Sequence, residues 1–565
     1  MTDASKEENG TLSPDDNPDR TGPGSGEYDA ADGQESEVSS AGMSLEEIRR
    51  QVQERVNQEA SQAPPAEAPP EINSKFIGEC LFSNELGDGT LYSALHRGRF
   101  VYVKNAQEWF EWAGHYWQQD IMQRSLAQVE RVAAEYLEEY KRSAQEIIQL
   151  AAKPEDDEIK SRISKLQALQ KALLARARAL RGNKRRSACL NFSHTLPENP
   201  LAIKGNEFDM RPMLFPCGNG VIDLETGRLK PGRPEDFMSL ASPVEFLGID
   251  YPAPIWERSL DEIFPGNRDI VEYLQRLFGY ACTGLTTSKV FPILYGKTGW
   301  NGRTVIVETI SQIMGTMAGS IPSEMLLSSK NVKSSSAPSP DIMSIKGVRM
   351  AFASEIDENQ RFSLSIIKKL TGGDELYGRH PHDKYSTRFL PTHKLFVQTN
   401  IKPGASANDR AFWERVNMIP FRISFVDRDP KEPWERRANL HLKEQLTEEL
   451  PGILAWLMRG CLWWQRDGLK PPKAVLEETA RYQRDEDLIA DFVDARCIRE
   501  PGAREQSSKL YNQFVDWYHE GHGKKEPSST WFGKEMNQKF DRTKQNGCNV
   551  YHGIRLADDQ GRLGD

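Results

Sequence analysis

The 565-residue sequence has a formal net charge of −9, and 38% of its residues are hydrophobic. That length exceeds what one hydrophobic core supports, so we expect several domains. The seven cysteines include no C-x-x-C pair, which favours neither a disulfide framework nor a zinc ribbon and fits a reducing compartment. There is no signal peptide and no apolar run of about 18 residues, so we expect no membrane partner. Residues 1–72 hold 17 acidic and 5 basic residues, a charge of −12, so the remainder sums to +3 and nucleic acid is not excluded.

We expect residues 1–74 to form a disordered acidic tail followed by a Pro-rich linker. Residues 1–42 are rich in Gly, Ser, Asp, Glu and Pro, and they cannot bury enough apolar surface to offset the entropy of the chain. The run APPAEAPP, which begins at Ala63, is typical of an extended linker.

Ordered structure is predicted from residue 75. Short alternating runs with three tryptophans in 76–117 indicate a small α+β module, and 119–182 indicate long charged helices broken by a proline. A basic run in 176–186 either tracks a phosphate backbone or forms a solvated helix face. Residues 215–229 predict a strand, a turn and a second strand.

The stretch from Val290 to Ile306 is the most informative of the chain. A short apolar run predicts a buried strand, a polar loop with Gly296, Gly299 and Gly302 follows, and apolar residues then recur at helical spacing. This order is the context of a phosphate-binding loop. Glycines let backbone N–H groups close on an anion, and the helix N-terminus adds a favourable dipole. The structural alternative is a Gly-rich turn ahead of a core helix.

Two residues at the end of this loop bear on its chemistry. Thr304 stands where such loops place a hydroxyl for Mg²⁺, and Arg303 occupies the position usual for lysine. A guanidinium is planar and bulky, whereas an ammonium is a compact point charge. We therefore expect that ATP hydrolysis is weakened or that Lys297 partly compensates.

Three later segments extend the pattern. A second buried strand ends in carboxylates, Glu355 first and Asp357 behind it, which suit Mg²⁺ coordination or activation of water; a solvated acidic loop is the alternative. A third apolar strand ends at Asn400, whose amide could sense a γ-phosphate or position water. A helix then supplies Arg410 and Arg415, either of which could neutralise charge on a transferring phosphoryl group, in cis or from a neighbouring subunit.

Two regions suggest contact with DNA. A helix that ends at a double glycine leads into a basic, histidine-bearing hairpin at 379–384, for which an exposed basic turn is the alternative. Residues 430–464 predict helix. From 487 onward, three helices and a strand hairpin suggest a winged helix in which Lys534 and Lys539 could meet phosphates. A purely structural or protein-binding role of that domain is the alternative.

The order of the motifs carries a family resemblance. The chain resembles superfamily 3 helicases of the phage and plasmid primase-helicase family, which is related to the poxvirus primase-helicase. The motifs that carry the resemblance are, in order, G-x-x-G-x-N-G-R-T, A-S-E, K-x-L-T-G-G-D, Q-T-N and D-x-x-x-W-x-R-V followed by I-P-F. Residues 215–229 are similar to that family's N-G-V-V-D-L-x-T-G segment, and the resemblance covers residues 75–560. Residues 1–200 show no strand with D-x-D, so we expect the helicase portion without the primase domain.

The resemblance implies a multidomain α/β protein. An α-rich N-terminal domain (75–255) would precede a central AAA+-like, superfamily 3 P-loop ATPase domain (256–485) and a C-terminal winged-helix domain (486–565). ATP and Mg²⁺ are the implied cofactors. The implied nucleotide-binding residues are Gly296, Lys297, Gly299, Asn301, Gly302, Arg303 and Thr304.

The resemblance also implies roles for single residues. Glu355 matches the second acidic motif, with Asp357 behind it, and would hold the metal together with Thr304. Asn400 matches the sensor asparagine, and Arg415 matches the trans-acting arginine finger better than Arg410. The implied DNA-binding residues are Lys369, Arg379, His380, His382, Lys384, Lys534 and Lys539.

The function implied is that of an ATP-dependent DNA helicase that forms a homo-oligomeric ring, a hexamer in the family. It would act on single-stranded DNA in the channel, and on duplex at the C-terminal domain, during replication of a phage or mobile element in the cytoplasm of the host cell. The alternative is a DNA-binding replication-initiation or assembly protein whose ATPase activity is weak or lost because of Arg303. A complete primase-helicase would need the missing D-x-D pattern.

Overall fold

The computed structural model describes residues 46–52, 54, 71–154, 156–198, 200–328, 339–354, 356–357, 360–379, 381, 386–521, 526–545 and 547–557. The predicted disordered tail at residues 1–42 lies outside them. So do Glu355, His380, His382 and Lys384. None of the helices in the described ranges is long and apolar enough to cross a lipid bilayer.

Helices dominate the N-terminal region, as predicted. Asp156 caps the second long helix, where its side chain accepts from the Glu158 N–H, and the preceding Pro154 separates it from the first. A four-stranded sheet in the order β3-β2-β1-β4 packs beside the helices. The helices are α1 (Ser74–Phe82), α2 (Asn84–His96), α3 (Arg124–Ala127), α4 (Val129–Ala151), α5 (Asp157–Leu180) and α6 (Asn183–Ser193). The strands are β1 (Phe100–Val103), β2 (Glu108–Trp112), β3 (Trp117–Gln119) and β4 (Ala202–Ile203).

The basic run at 176–186 holds this helical module together. Arg176 and Arg185 each pair at 2.8 Å with the fully buried carboxylate of Asp88. Arg181 pairs with Glu130 at 2.6 Å. A buried carboxylate must be paired and hydrogen-bonded to be tolerated, so Arg176 and Arg185 stabilise the fold through Asp88. Arg181 and Glu130 are both about half exposed, and a phosphate-tracking face on the rest of the run stays a prediction.

A small meander links this module to the central domain. Strands β5 (Leu214–Cys217), β6 (Gly220–Asp223) and β7 (Arg228–Lys230) pair antiparallel, which confirms the strand–turn–strand prediction. The turn before β7 uses Gly227 at φ +70°. Helices α7 (Pro254–Ile263) and α8 (Arg268–Ala281) follow.

The centre of the chain is a five-stranded sheet in which all neighbouring strands run parallel. Its order is β14-β8-β13-β10-β9. The strands are β8 (Phe291–Tyr295), β9 (Ala318–Ser320), β10 (Met350–Ala353), β13 (Lys394–Thr399) and β14 (Val416–Pro420). The elements between them are α9 (Arg303–Met314), α10 (Pro340–Met343), α11 (Leu364–Leu370), the hairpin β11 (Leu376–Gly378) and β12 (Thr387–Phe389), and α12 (Arg410–Trp413).

Both faces of this sheet are buried, which explains why the sequences of its strands are continuous apolar runs. On β13, Phe396 packs on one face against Phe278 of α8, with ring centroids 5.4 Å apart. Its neighbours Leu395 and Val397 point to the other face, beside Phe412 of α12. The sheet is therefore a middle layer between two helical layers.

One helix prediction is wrong in part. Residues 430–441 do not continue a helix: β15 (Ser424–Val426) pairs in parallel with β16 (Glu435–Arg437), and helix resumes only at α13 (Leu442–Glu448) and α14 (Leu450–Asp467). Arg428 pairs with Glu435 at 2.5 Å, and Glu435 also accepts from the backbone N–H groups of residues 431 and 432. These contacts stabilise a turn where the composition favoured helix.

The C-terminal region forms its own small core after α15 (Lys473–Asp485). Phe492, Phe514, Phe532 and Tyr551 are fully buried there. Its sheet has the antiparallel order β17-β19-β18. The elements are α16 (Leu488–Arg496), β17 (Cys497–Gln506), α17 (Ser507–Gly521), α18 (Ser529–Lys539), β18 (Arg542–Gln545) and β19 (Cys548–Leu556). The three helices and the strand hairpin match the sequence prediction.

Candidate functional site

The Gly-rich loop leaves the carboxyl end of β8 at the point where the strand order reverses. From β8 the chain crosses to β9 at the far edge, returns through β10 and β13 on that same side, and places β14 on the opposite side. Ligands of open parallel sheets bind outside the carboxyl ends of the strands at such a switch point. The loop and the residues that follow β13 therefore meet at the favoured binding crevice.

Two loop glycines are required by close approach. A Cβ on Gly296 would lie 2.1 Å from Asn301 Nδ2 and 3.0 Å from the carbonyl oxygen of Phe421. Gly302 has φ +86°, and a Cβ there would lie 2.6 Å from Ile263 Cδ1. Side chains at either position would push the loop away from the sheet or from α7, so the tight loop depends on glycine.

Asn301 shapes the loop from inside. Its side chain is buried, donates to the Thr298 carbonyl at 2.6 Å, and accepts from Arg303 Nε at 3.0 Å. Further out, the backbone carbonyl of Trp300 accepts from the Phe425 N–H at 2.7 Å. The loop is thus closed by its own asparagine and fastened to β15, and the role of Asn301 in this structure is internal.

Arg303 begins α9, and its guanidinium is turned into the protein. Nη1 donates to the carbonyl of Leu294 at 3.1 Å and to that of Thr399, while Nη2 donates to Oδ1 of Asn400. Burial lowers the pKa of Arg303. The side chain therefore joins the loop to the ends of two adjacent strands, instead of standing open as a point charge for a phosphate.

The remaining predicted nucleotide residues fall around this crevice. Thr304 is exposed on the first turn of α9, and Gly302 precedes that helix with no side-chain cap. The Arg303 N–H donates to Asn301 Oδ1 at 3.4 Å, and Gly302 supplies no side-chain acceptor for the N–H groups that follow, which suits an anion. Lys297 is exposed on the loop. Asp357 is exposed four residues after β10, whereas Glu355 lies outside the described residues.

Arg415 lies at the opposite end of the sheet from the loop. Its backbone carbonyl accepts from the N–H of Phe291, the first residue of β8, whereas the loop follows the last residue of that strand. Five residues at about 3.3 Å each separate the two ends by about 15 Å. At that distance Arg415 does not reach a ligand in its own loop, and its action on a neighbouring copy stays a prediction. Arg410, on α12, pairs with Glu414 at 2.6 Å.

The predicted basic hairpin is present at its base. Strands β11 and β12 pair antiparallel, with Tyr377 opposite Arg388. Lys369 on α11 lies 4.6 Å from the centroid of the Tyr377 ring, a cation–π contact. Arg379 follows β11, and its N–H donates to Ser339 Oγ at 3.3 Å. His380, His382 and Lys384 lie outside the described residues.

The two lysines proposed for the C-terminal domain differ. Lys539 pairs with Asp487 at 2.5 Å, and both side chains are largely buried, so its charge ties α18 to the start of α16. Lys534 is exposed on α18 and lines a cavity of about 230 Å³ between this domain and the segment 405–408. Lys539 therefore has a structural contact that Lys534 lacks in this structure, and the DNA-binding role of both lysines stays a prediction.

Sequence reasoning missed Trp300 and the β15 segment. Trp300 is 82% exposed in the middle of the loop. The pattern G-x-x-G-x-N-G-R-T leaves its position open, between a glycine and an asparagine. Its signal was the residue type, because a large aromatic side chain is unusual in a loop that otherwise consists of small and polar residues. The contact with β15 joins residues 125 positions apart and left no local signal.

The chain is similar to viral proteins that are named as candidate helicases. Residues 90–265 match a family described as D5 N terminal like. A relative from Acanthamoeba polyphaga mimivirus is 26% identical over 325 residues, which cover 55% of this chain and 33% of that protein. A relative from frog virus 3 is 25% identical over 383 residues, which cover 55% of this chain and 39% of that protein. The chain thus spans between a third and two fifths of the length of these relatives.

Among solved structures, an apo form of the NrS-1 C-terminal region is 12% identical, covers 54% of this chain and 77% of that chain, and has a TM-score of 0.31. A likeness at that score adds no weight to the assignment. The family match and the viral relatives confirm the predicted resemblance to viral and phage proteins of the primase-helicase type, and residues 90–265 are similar to a D5 N-terminal-like region.

Proposed function

We propose that the protein is an ATP-dependent DNA helicase that works as a homo-oligomeric ring in the replication of a virus, phage or mobile element. The observation that carries this proposal is the Gly-rich loop at the switch point of a parallel sheet, joined through Arg303 to Asn400 at the tip of the next strand. A motor needs its phosphate site linked to a residue that can report the nucleotide state, and this bond is such a link.

The residues present fit ATP and Mg²⁺. Gly296 and Gly302 let the loop pack closely against Asn301, Phe421 and Ile263, and α9 directs its N-terminal dipole at the loop, where phosphate oxygens would bind. Among the described residues, no group of three or more His, Cys, Asp and Glu side chains is placed to hold a metal. Mg²⁺ would therefore rely on Thr304, on phosphate oxygens and on Glu355. When bound, it would neutralise charge on the transferring group.

Hydrolysis would need two subunits. One copy supplies the loop, with Asn400 or Asp357 placed to orient water, and Arg415 of the next copy neutralises the developing charge. The position of Arg415 at the far end of its own sheet supports this division. In a closed ring every nucleotide site would receive Arg415 from a neighbouring copy. The family resemblance implies six subunits.

DNA would contact two surfaces. The hairpin, with Lys369 and Arg379 at its base, would face single-stranded DNA in the channel. The C-terminal domain has the helix and strand order of a winged helix, with α18 as its third helix. Lys534 on α18 would meet duplex phosphates there.

ATP turnover with and without single-stranded DNA, together with strand separation of a forked duplex, tests the proposal. We expect hydrolysis by the wild type, stimulation by single-stranded DNA, and loss of both in Asn400→Ala. Wild-type hydrolysis no higher than that of Asn400→Ala would refute the motor.

A second function is favoured by the buried guanidinium of Arg303. Its guanidinium already donates hydrogen bonds to the protein, so the cation of the phosphate loop does not face a phosphate. The acceptors are on Leu294, Thr399, Asn301 and Asn400. On this alternative the protein is a DNA-binding initiation or assembly factor that binds nucleotide to form a ring but hydrolyses it weakly. Nucleotide-dependent assembly without DNA-stimulated turnover would distinguish it from the motor.

A further inference from the structure

Trp300 occupies a position in the loop that its conformation does not favour. Its φ is +56°, in the left-handed region that glycine adopts freely and a tryptophan rarely does. Its side chain is 82% exposed, so packing inside the chain does not explain why an indole stands there. Residues held in sparsely populated backbone conformations cluster at active sites and ligand clamps.

The surroundings hold the Trp300 backbone in place. Its carbonyl accepts from the Phe425 N–H at 2.7 Å, and the preceding Gly299 carbonyl accepts from Ser424 Oγ at 3.3 Å. On the other side, Asn301 is buried and closes the loop. The indole is therefore presented from a fixed backbone in the phosphate loop, on the side of the loop that bonds to β15.

We propose that Trp300 is the stacking platform for the purine base of a nucleoside triphosphate whose phosphates occupy the loop. This inference rests on the proposed nucleotide site. A ligand held by its phosphates at the base of the loop must project its sugar and base outward, past the residues of the rim. Every base has a π-face, and stacking on an indole is tolerant of base identity. ATP and GTP should consequently bind with similar affinity.

A second exposed tryptophan offers a matched control. Trp434 is 49% exposed, and its carbonyl accepts from the Ser424 N–H at 2.9 Å, so it lies across β15 from the loop. It shares residue type and exposure with Trp300 but is not part of the loop. Its substitution tests whether any exposed indole near the loop would contribute to nucleotide binding.

The experiment measures binding of Mg²⁺-ATP, Mg²⁺-GTP and Mg²⁺-tripolyphosphate to the full chain by titration calorimetry. Trp300→Gly removes the ring while suiting the positive φ, and Trp300→Phe keeps an aromatic face. We expect Trp300→Gly to weaken ATP and GTP about tenfold, at the low end of what base–aromatic stacking contributes, with tripolyphosphate unchanged. Trp300→Phe should lie near wild type, and Trp434→Ala should match wild type.

Four results would overturn the inference. The first is that the wild type holds ATP no more tightly than tripolyphosphate, the second is that Trp300→Gly weakens both ligands equally, and the third is that Trp434→Ala produces the selective loss instead. A change in ring assembly with an unchanged ratio of ATP to tripolyphosphate affinity would assign Trp300 to a subunit contact and likewise refute stacking. If the wild type binds neither ligand, the nucleotide site itself fails, which is a different outcome.

Discussion

Replacing Arg303 by lysine separates the two proposed functions. The guanidinium spreads its donors over three nitrogens, which reach Asn301, two backbone carbonyls and Asn400. A lysine ammonium concentrates its donors on one nitrogen and cannot face Asn301 and Asn400 together. Arg303→Lys should therefore release Asn400 and leave a compact charge free to turn toward a phosphate.

The loss of stability can be worked from those contacts. A hydrogen bond that involves a charged group contributes about 1.5–3 kcal/mol, and a lysine would forfeit about two of the four. Because Asn400 is exposed and water can replace part of its bond, we expect a local cost of about 2–4 kcal/mol. Opening of the loop would then increase by more than tenfold.

Hydrogen exchange of residues 296–304 measures that local opening, and steady-state ATP hydrolysis measures the consequence. We expect faster exchange together with an ATPase rate at least about tenfold above wild type, since an added phosphate-facing charge acts on the transition state. Arg276→Lys is the matched control: Arg276 is a buried arginine bonded to the carbonyls of Leu469 and Lys470, remote from the loop, and its loss should leave the ATPase rate unchanged.

Two outcomes would contradict the reasoning. If exchange in the loop stays at the wild-type rate, the bonds of Arg303 do not hold the loop closed. If exchange rises but the ATPase rate stays equal or falls, the bonds of Arg303 do not limit hydrolysis. In that case the guanidinium binds the phosphates directly, or the chain lacks motor activity for another reason.

The other predictions concern the loop, the shared site and the DNA surface. Gly302→Ala should weaken tripolyphosphate binding more than tenfold in calorimetry, because a Cβ at φ +86° costs about 1–2 kcal/mol before its clash with α7 is added. Mixing Arg415→Ala with Glu355→Ala subunits should restore part of the ATPase activity that each variant lacks alone; absence of rescue argues against a site shared between copies. Lys534→Ala should reduce the salt dependence of duplex binding by about one phosphate contact, whereas Lys539→Ala should lower the melting temperature of the C-terminal domain, and identical effects of both would contradict their assignment.

Local patterns predicted the strands, the loop and the helix at its end, because each is encoded within a few consecutive residues. The direction of the Arg303 side chain was not predictable, since it depends on β13 lying beside β8, and those strands are about 100 residues apart in the chain. The same limit applies to the basic run at 176–186. Its periodicity indicates a helix, but only the folded chain places Asp88 against it.

The helix α11 connects the DNA surface to the residue that would act on the neighbouring nucleotide. Lys369 contacts Tyr377 at the base of the hairpin, and the adjacent Lys368 pairs at 2.6 Å with Asp409, which caps the helix α12. Arg415 follows that helix directly. A shift of Arg415 toward a neighbour's phosphate would pull on Asp409 and hence on α11, so the hairpin and the arginine would move as one body. If the proposed ring hydrolyses ATP, we therefore expect the hairpin to move in the subunit that supplies the arginine, since the contacts from Arg415 to Lys369 lie within one chain.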